Sequence, residues 1–376
     1  PTAMSCAAAE QAPAALDGGR PSDSEALARR LALGCGAAEE GFAQACEFVS
    51  LGCYCALTEA LLYMGLRRHA FPFDWVRSPM EGVIHCLESR FEDFLTYLEV
   101  REKHDLTCFA GSRWGGSFWH HDLEDAKVQG DFLVRADRLL GFGEVPACKP
   151  RVFVRLLNST RELDSAFALK DALVRAFPCA PVYLLLLVDL QQEDKLMRVQ
   201  GPAGEGLLIH FLAEKSVYSN ISAESSSDYQ TRARAYARPV ASAIKYWAGG
   251  PAAREAVVVH PTLAQIAAAC EQWSGGDPSS DLFSPQYFKG HRLAAKGRSI
   301  PALPRLLHGK NAEFTLPQGV VPGGQVKVNL FGEDVTLQLP ENAAAGYLMK
   351  CRLVEGVLSV VMVMAASSAA TAGLLA

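Results

Sequence analysis

The chain has 376 residues, 49 % hydrophobic and 20 % charged, with 36 Lys and Arg against 41 Asp and Glu for a net charge of -5. That length holds one large domain and a smaller one at ~100–200 residues per domain, and the slightly acidic balance leaves no basic footprint for a nucleic-acid partner. The 11 cysteines are scattered with no Cys-x-x-Cys pair, which points to reduced thiols in an intracellular, cytoplasmic setting and away from a disulfide framework or a zinc site.

Residues 1–45 are rich in Ala, Gly, Glu and Ser, lack a continuous apolar core of the signal-peptide kind, and read as a flexible leader with a short helix near 24–33. From 46 to 274 apolar runs alternate with helical spacing. Strands are expected at 47–51, 151–156, 182–190, 206–212 and 256–260, and amphipathic helices at 56–66, 80–97, 163–177, 229–247 and 262–273. The run from Tyr183 to Val188 is continuously apolar, as in a strand covered on both faces. The expected fold is therefore α/β, a three-layer domain around a mostly parallel sheet.

Residues 275–310 read as a linker, and 311–356 as a small β module. Within the module two halves repeat at an offset of 23 residues: Leu316 and Pro317 match Leu339 and Pro340, Gly323 matches Gly346, and Lys327 matches Lys350. Two related hairpin arms are the simplest account. The module resembles the Pro-Gly β elements of Hsp40-type substrate-binding domains, which implies a binding or structural accessory. Residues 357–376 form an apolar tail with no charged residue. A bilayer span needs ~20 such residues. The β-branched residues of its first half favour a last strand over a membrane anchor.

The segment most concentrated in chemistry is Ser50-Leu51-Gly52-Cys53-Tyr54-Cys55, closing an expected strand and opening a helix. A helix start supplies unpaired N–H donors and about half a positive charge, which can lower a thiol from about 8.5 to ~3.5–7.5. Cys55 is the candidate nucleophile, with Cys53 competing for the role. A thiol nucleophile needs an imidazole to move its proton and a carboxylate or amide to orient the ring. The stretch from Trp114 to Asp122, with His120, His121 and two glycines, has the composition of a loop over a cleft. Asp74, between Phe73 and Trp75, needs either a histidine or backbone N–H partners if buried. Because open α/β sheets bind ligands beyond the carboxyl ends of their strands, Asp189, His210 and His260 are strand-end candidates as well, His210 more as a loop cap. No Gly-x-Gly-x-x-Gly or P-loop appears, so no cofactor is expected.

Ser50 to Cys55, Leu66-Arg67, Phe71 to Trp75, Phe91 to Phe94, His121-Asp122 and the strand 151–156 together resemble the DUF1796 family, described as papain-like cysteine peptidases, over about residues 47–250. The resemblance implies peptide hydrolysis or acyl transfer, with Cys55 as nucleophile, His121 as base, and Asp74 or Asp122 as the orienting acid. The expected function is a thiol-dependent hydrolase or acyl transferase acting on a peptide or glycan. The alternative is a noncatalytic α/β binding protein, localised by its β module or tail.

Overall fold

The computed structural model describes residues 20–272 and 310–363, apart from 54, 92, 98, 104–105, 214–225, 331–332, 340–342 and 355–356. The first 19 residues of the expected leader, nearly all of the expected linker, and tail residues 364–376 lie outside the described residues.

Two helices come first, α1 (Asp23–Ala32) and α2 (Ala37–Ala45). Ser22 caps α1 in a reciprocal box with Glu25, each side chain bonding the other's backbone N–H. Residues 23–45 were expected to be a flexible leader with one short helix; instead Cys35 and Ala43 are buried in the main core, with Leu33 and Phe42 packed on it. The apolar face of α2 is mostly alanine, too faint a stripe to read from sequence.

The sheet begins with β1 (Glu47–Ser50), followed by α3 (Ala56–Tyr63), β2 (Val76–Arg77) and α4 (Met80–Glu88). Helix α4 stops well short of the expected 97, because Arg90, Phe91 and Asp93 take left-handed conformations with φ of 54°, 64° and 60°. That turn inserts Phe91 and Phe94 into an aromatic cluster with Phe73, Trp114 and Phe118. Next come β3 (Glu99–Lys103), β4 (Leu106–Ala110) and β5 (Ser117–Phe118), which with β2 form a small antiparallel sheet in the order β2-β5-β4-β3.

Helix α5 (Ala126–Leu140) leads to β6 (Arg151–Leu156), a 3₁₀ turn at Thr160–Ser165, α6 (Ala166–Ala176) and β7 (Val182–Val188). The remaining elements of this unit are β8 (Lys195–Val199), β9 (Leu207–Phe211), α7 (Ser226–Trp247), α8 (Pro251–Glu255), β10 (Val258–His260) and α9 (Leu263–Ala268). The main sheet has the order β1-β6-β7-β9-β8-β10. Strands β1, β6, β7 and β9 run parallel, β8 is antiparallel to β9, and β10 is parallel to β8. The mostly parallel α/β sheet is as expected from sequence, and β8 is the strand the periodicity did not show.

Alternation along each strand divides two cores. Val152, Val154, Leu156, Leu185, Leu187 and Leu208 face α2, α3 and α7. Phe153, Leu184, Leu186, Val188 and Ile209 face α4, α5, α6 and α9. Both faces are covered, which is why the strands read as unbroken apolar runs.

The β module comprises β11 (Lys310–Thr315), β12 (Gln325–Leu330), β13 (Glu333–Gln338), β14 (Leu348–Val354) and β15 (Val357–Val363). Strand β15 pairs with β14, so the described part of the apolar tail is a sheet strand. Among the described residues no helix is long and apolar enough to cross a membrane. The repeat has a structural counterpart: β11 starts at Lys310 and β13 at Glu333, an offset of 23. Leu316 N–H donates to Tyr347 O just as Leu339 N–H donates to Gly324 O. Gly323 and Gly346 hold matching left-handed turns with φ of 68° and 85°. Because β12 pairs with β13 and β11 with β14, the two halves interlock instead of forming separate arms.

Inside the α/β unit one ion pair joins several segments. Arg155 lies fully buried and donates through Nη2 to both carboxylate oxygens of Glu162, at 2.9 and 3.0 Å. It also donates to Leu51 O, Ser78 Oγ and Ser78 O, while Glu162 accepts from the backbone N–H groups of Met80 and Asn158. Removing one partner strands a buried charge, so Arg155→Met is expected to cost about 3–5 kcal/mol in urea unfolding. The double variant Arg155→Met/Glu162→Leu should lose clearly less than the two single losses added together, since it leaves no unpaired charge.

Candidate thiol–imidazole site

The chain leaves β1 through two successive left-handed residues, Gly52 at φ 77° and Cys53 at φ 87°. A Cβ on Gly52 would meet Val76 O at 2.9 Å, so glycine is required both by its dihedral and by the close approach. Ser78 fixes the turn: its hydroxyl accepts from Cys53 N–H at 3.1 Å and donates to Leu51 O at 3.0 Å. The turn delivers Cys55 to the N-cap position of α3, where the first-turn N–H groups have no intrahelical acceptor.

The imidazole that meets this thiol belongs to His120. Cys55 Sγ lies 3.0 Å from His120 Nε2. His120 follows β5, whose Phe118 pairs with Val76 of β2, and this pairing brings Trp75 and His120 side by side with ring centroids 5.9 Å apart in an edge-on arrangement. Trp75 is held in a left-handed conformation with φ 61°, an uncommon geometry for a bulky residue.

The family resemblance implies His121 as the base, and the structure sets His120 against the thiol instead. His121 points to α5, where Arg135 Nη1 approaches its Nε2 at 3.1 Å and Phe132 lies under the ring at 4.8 Å. Burial first, and then the Arg135 cation, hold His121 well below the usual imidazole range. Adjacent histidines on a turning chain face opposite ways, and the helix α5 cation claims the second.

The two expected acids are engaged elsewhere. Asp74 is buried, accepts from Arg67 Nε at 2.8 Å and from Phe71 N–H at 2.9 Å, and receives a long bond from Thr58 Oγ1. It fastens the aromatic turn after α3 to that helix, the backbone alternative raised from sequence. Asp122 is exposed and accepts from Glu124 N–H at 2.8 Å, closing a local turn. Neither carboxylate is directed at His120.

The ionisation of the pair also departs from the sequence expectation of a lowered thiol. Cys55 retains some solvent exposure, yet burial first, and the Glu59 carboxylate second, push its thiol up to about 12. Burial lowers His120 as well. Both shifts favour the uncharged forms, a thiol and a neutral imidazole. Cys53 is fully enclosed and likewise pushed up to about 12 by burial, with only a long contact of 4.0 Å to Asn158 Oδ1. It is a core thiol, and the nine cysteines whose side chains are described are free.

The strand-end candidates separate. His260 closes β10, which runs opposite to β1, so it sits at the other end of the sheet. His210 is buried at the end of β9 and is held down to about 4 by burial. Asp189, beyond β7, accepts from Tyr236 Oη at 2.5 Å while its Oδ1 is buried without a partner. Burial raises its carboxyl to about 7. Among the described residues no cluster of three or more His, Cys, Asp and Glu could hold a metal ion. Glu59, Arg232 and Ser78, which shape the site, escaped the sequence reading. Only the one-turn spacing of Glu59 from Cys55 carried any signal for it.

Fold and geometry define an α/β protein with a cysteine–histidine pair at the strand-to-helix turn after the first sheet strand. Residues 46–176, about a third of the chain, match the family model described as "Putative papain-like cysteine peptidase (DUF1796)". The match takes in β1 through α6 and both members of the pair. No curated protein and no solved structure matches the chain.

Asp189 supplies a pH test of the structure. A carboxyl with a raised folded-state value contributes stability that is complete below the unfolded value of about 3.9 and is lost as pH rises through about 7. Asp189→Asn removes this titration. Thermal unfolding should show the variant gaining on the wild type from about pH 4 to about pH 7, with the gap constant above about pH 8.

Proposed function

We propose that Cys55 and His120 are the nucleophile and the base of a hydrolase or acyl transferase acting on peptide or related acyl substrates. The observation that carries this reading is the 3.0 Å contact between Cys55 Sγ and His120 Nε2 on a partly exposed thiol. A merely structural cysteine in this position would be enclosed by leucines, as Cys53 is by its own core.

A neutral pair sets the order of events. As the sulfur closes on the carbonyl carbon, His120 Nε2 takes the S–H proton, so charge develops only in the transition state. The oxyanion forms beside the N–H groups that open α3. The imidazolium then returns the proton to the departing amine or alcohol, leaving a thioester on Cys55. A second acceptor, water or another nucleophile, is deprotonated by His120 and displaces the thiol. Trp75 packs edge-on against the imidazole and so holds its orientation, a task that falls to a carboxylate or amide in the usual triad logic.

Cys55→Ala should abolish turnover of a peptidyl-coumarin and acyl-ester panel without altering the unfolding midpoint, and His120→Ala should lower kcat by ~10²–10⁴-fold. His121→Gln should retain turnover, which separates the adjacent imidazoles. Turnover that survives in Cys55→Ala would sink the assignment. Because the thiol is raised and the imidazole lowered, iodoacetamide labelling of Cys55, mapped by mass spectrometry, should keep climbing with pH above about 9. A plateau below about pH 7 would mean a preformed ion pair instead.

A further inference from the structure

One turn along α3 from Cys55 sits Glu59, which is 1 % exposed. It is gripped bidentately by Arg232 of α7, with Nε to Oε2 at 2.9 Å and Nη2 to Oε1 at 2.8 Å. A carboxylate buried under the first turn of a helix that carries a nucleophile works against a thiolate on that nucleophile. Ala56, Leu57, Ala60, Leu61 and Tyr236 of the same two helices share one buried apolar cluster. We propose that Glu59 and Arg232 are positioning residues for the charge of the nucleophile: Glu59 restrains ionisation of the Cys55 sulfur at rest, and Arg232 limits that restraint. This deepens the reading of Cys55 as the nucleophile and rests on it.

Among the described residues, the charged or titratable groups that act on the sulfur include Glu59 on its own helix, Arg232 on α7, Arg77 on β2, and His120 after β5. Glu59 opposes the thiolate, and the two arginines favour it. Arg232 is held by the carboxylate it offsets, so the pair acts as a dipole with its negative end nearer α3. The consequence is chemical economy. A thiol kept protonated resists alkylation and oxidation, both of which proceed through the thiolate. It becomes a nucleophile when His120 accepts its proton against a bound carbonyl.

The test reads the thiol directly and needs no substrate. The rate of iodoacetamide labelling at Cys55 is measured against pH in the full chain, resolved by mass spectrometry. Replacing the carboxylate in Glu59→Gln removes the restraint and leaves the Arg232 cation in place, so labelling at about pH 8 should rise about tenfold as the profile moves to lower pH. Glu59→Gln/Arg232→Gln, which strands no charge, should fall between that variant and the wild type. Arg232→Lys keeps the cation and should stay close to wild type. An unchanged or upward-shifted profile in Glu59→Gln overturns the proposal, as does a double variant that labels faster than the single one. Turnover measured in parallel separates the two claims: shifted labelling without turnover in any variant keeps the electrostatic role and defeats the enzymatic reading.

Discussion

The buried pair of Arg155 and Glu162 is the constraint on which the candidate site depends. A guanidinium in the apolar interior is tolerable only when its charge is matched and its donors are used. Here the two Nη groups reach the residue that follows β1, the Ser78 hydroxyl and carbonyl, and the Glu162 carboxylate, while Nε is buried with no partner. Through Ser78 the pair also holds the Cys53 N–H. The left-handed turn at Gly52 and Cys53 is costly by itself. It persists because this network determines both of its ends, and the position of Cys55 at the start of α3 follows.

The electrostatics of the thiol come from two opposing features of the same helix. Its N-terminus favours an anion, while burial and Glu59 disfavour one, and the second group wins. A protonated resting thiol beside a neutral imidazole is consistent with general-base activation during attack. In the proposed mechanism His120 therefore carries more of the burden than in a site with a preformed ion pair, and its placement depends on the two-residue pairing of β2 with β5. A small antiparallel sheet on the flank of the main one thus decides which histidine meets the sulfur.

Much of the architecture was legible in the chain. The continuous run from Leu184 to Val188 signalled a strand covered on both faces, and the structure buries every one of these side chains. Repeat positions such as Leu316 and Leu339 mark equivalent buried sites in the β module. Helix α2 was not legible, because its alanines give no contrast between faces. Strand β8 was hidden by Lys195 and Arg198, which place charges within a short edge-side strand. The end of α4 at Glu88 was missed because the left-handed turn that follows uses Arg90 and Phe91 and no glycine.

The sequence by itself determined the alternation of strands and helices, the thiol at a strand-to-helix turn, and a histidine-bearing loop, because hydrophobic period and glycine placement are local properties. Only the tertiary structure decided between His120 and His121, sent Asp74 to Arg67 and the Phe71 backbone, and set Glu59 against Arg232 across 173 residues of chain. Those outcomes depend on which way a side chain points and which charge meets it. Both are properties of packing between distant segments, and no local pattern encodes them.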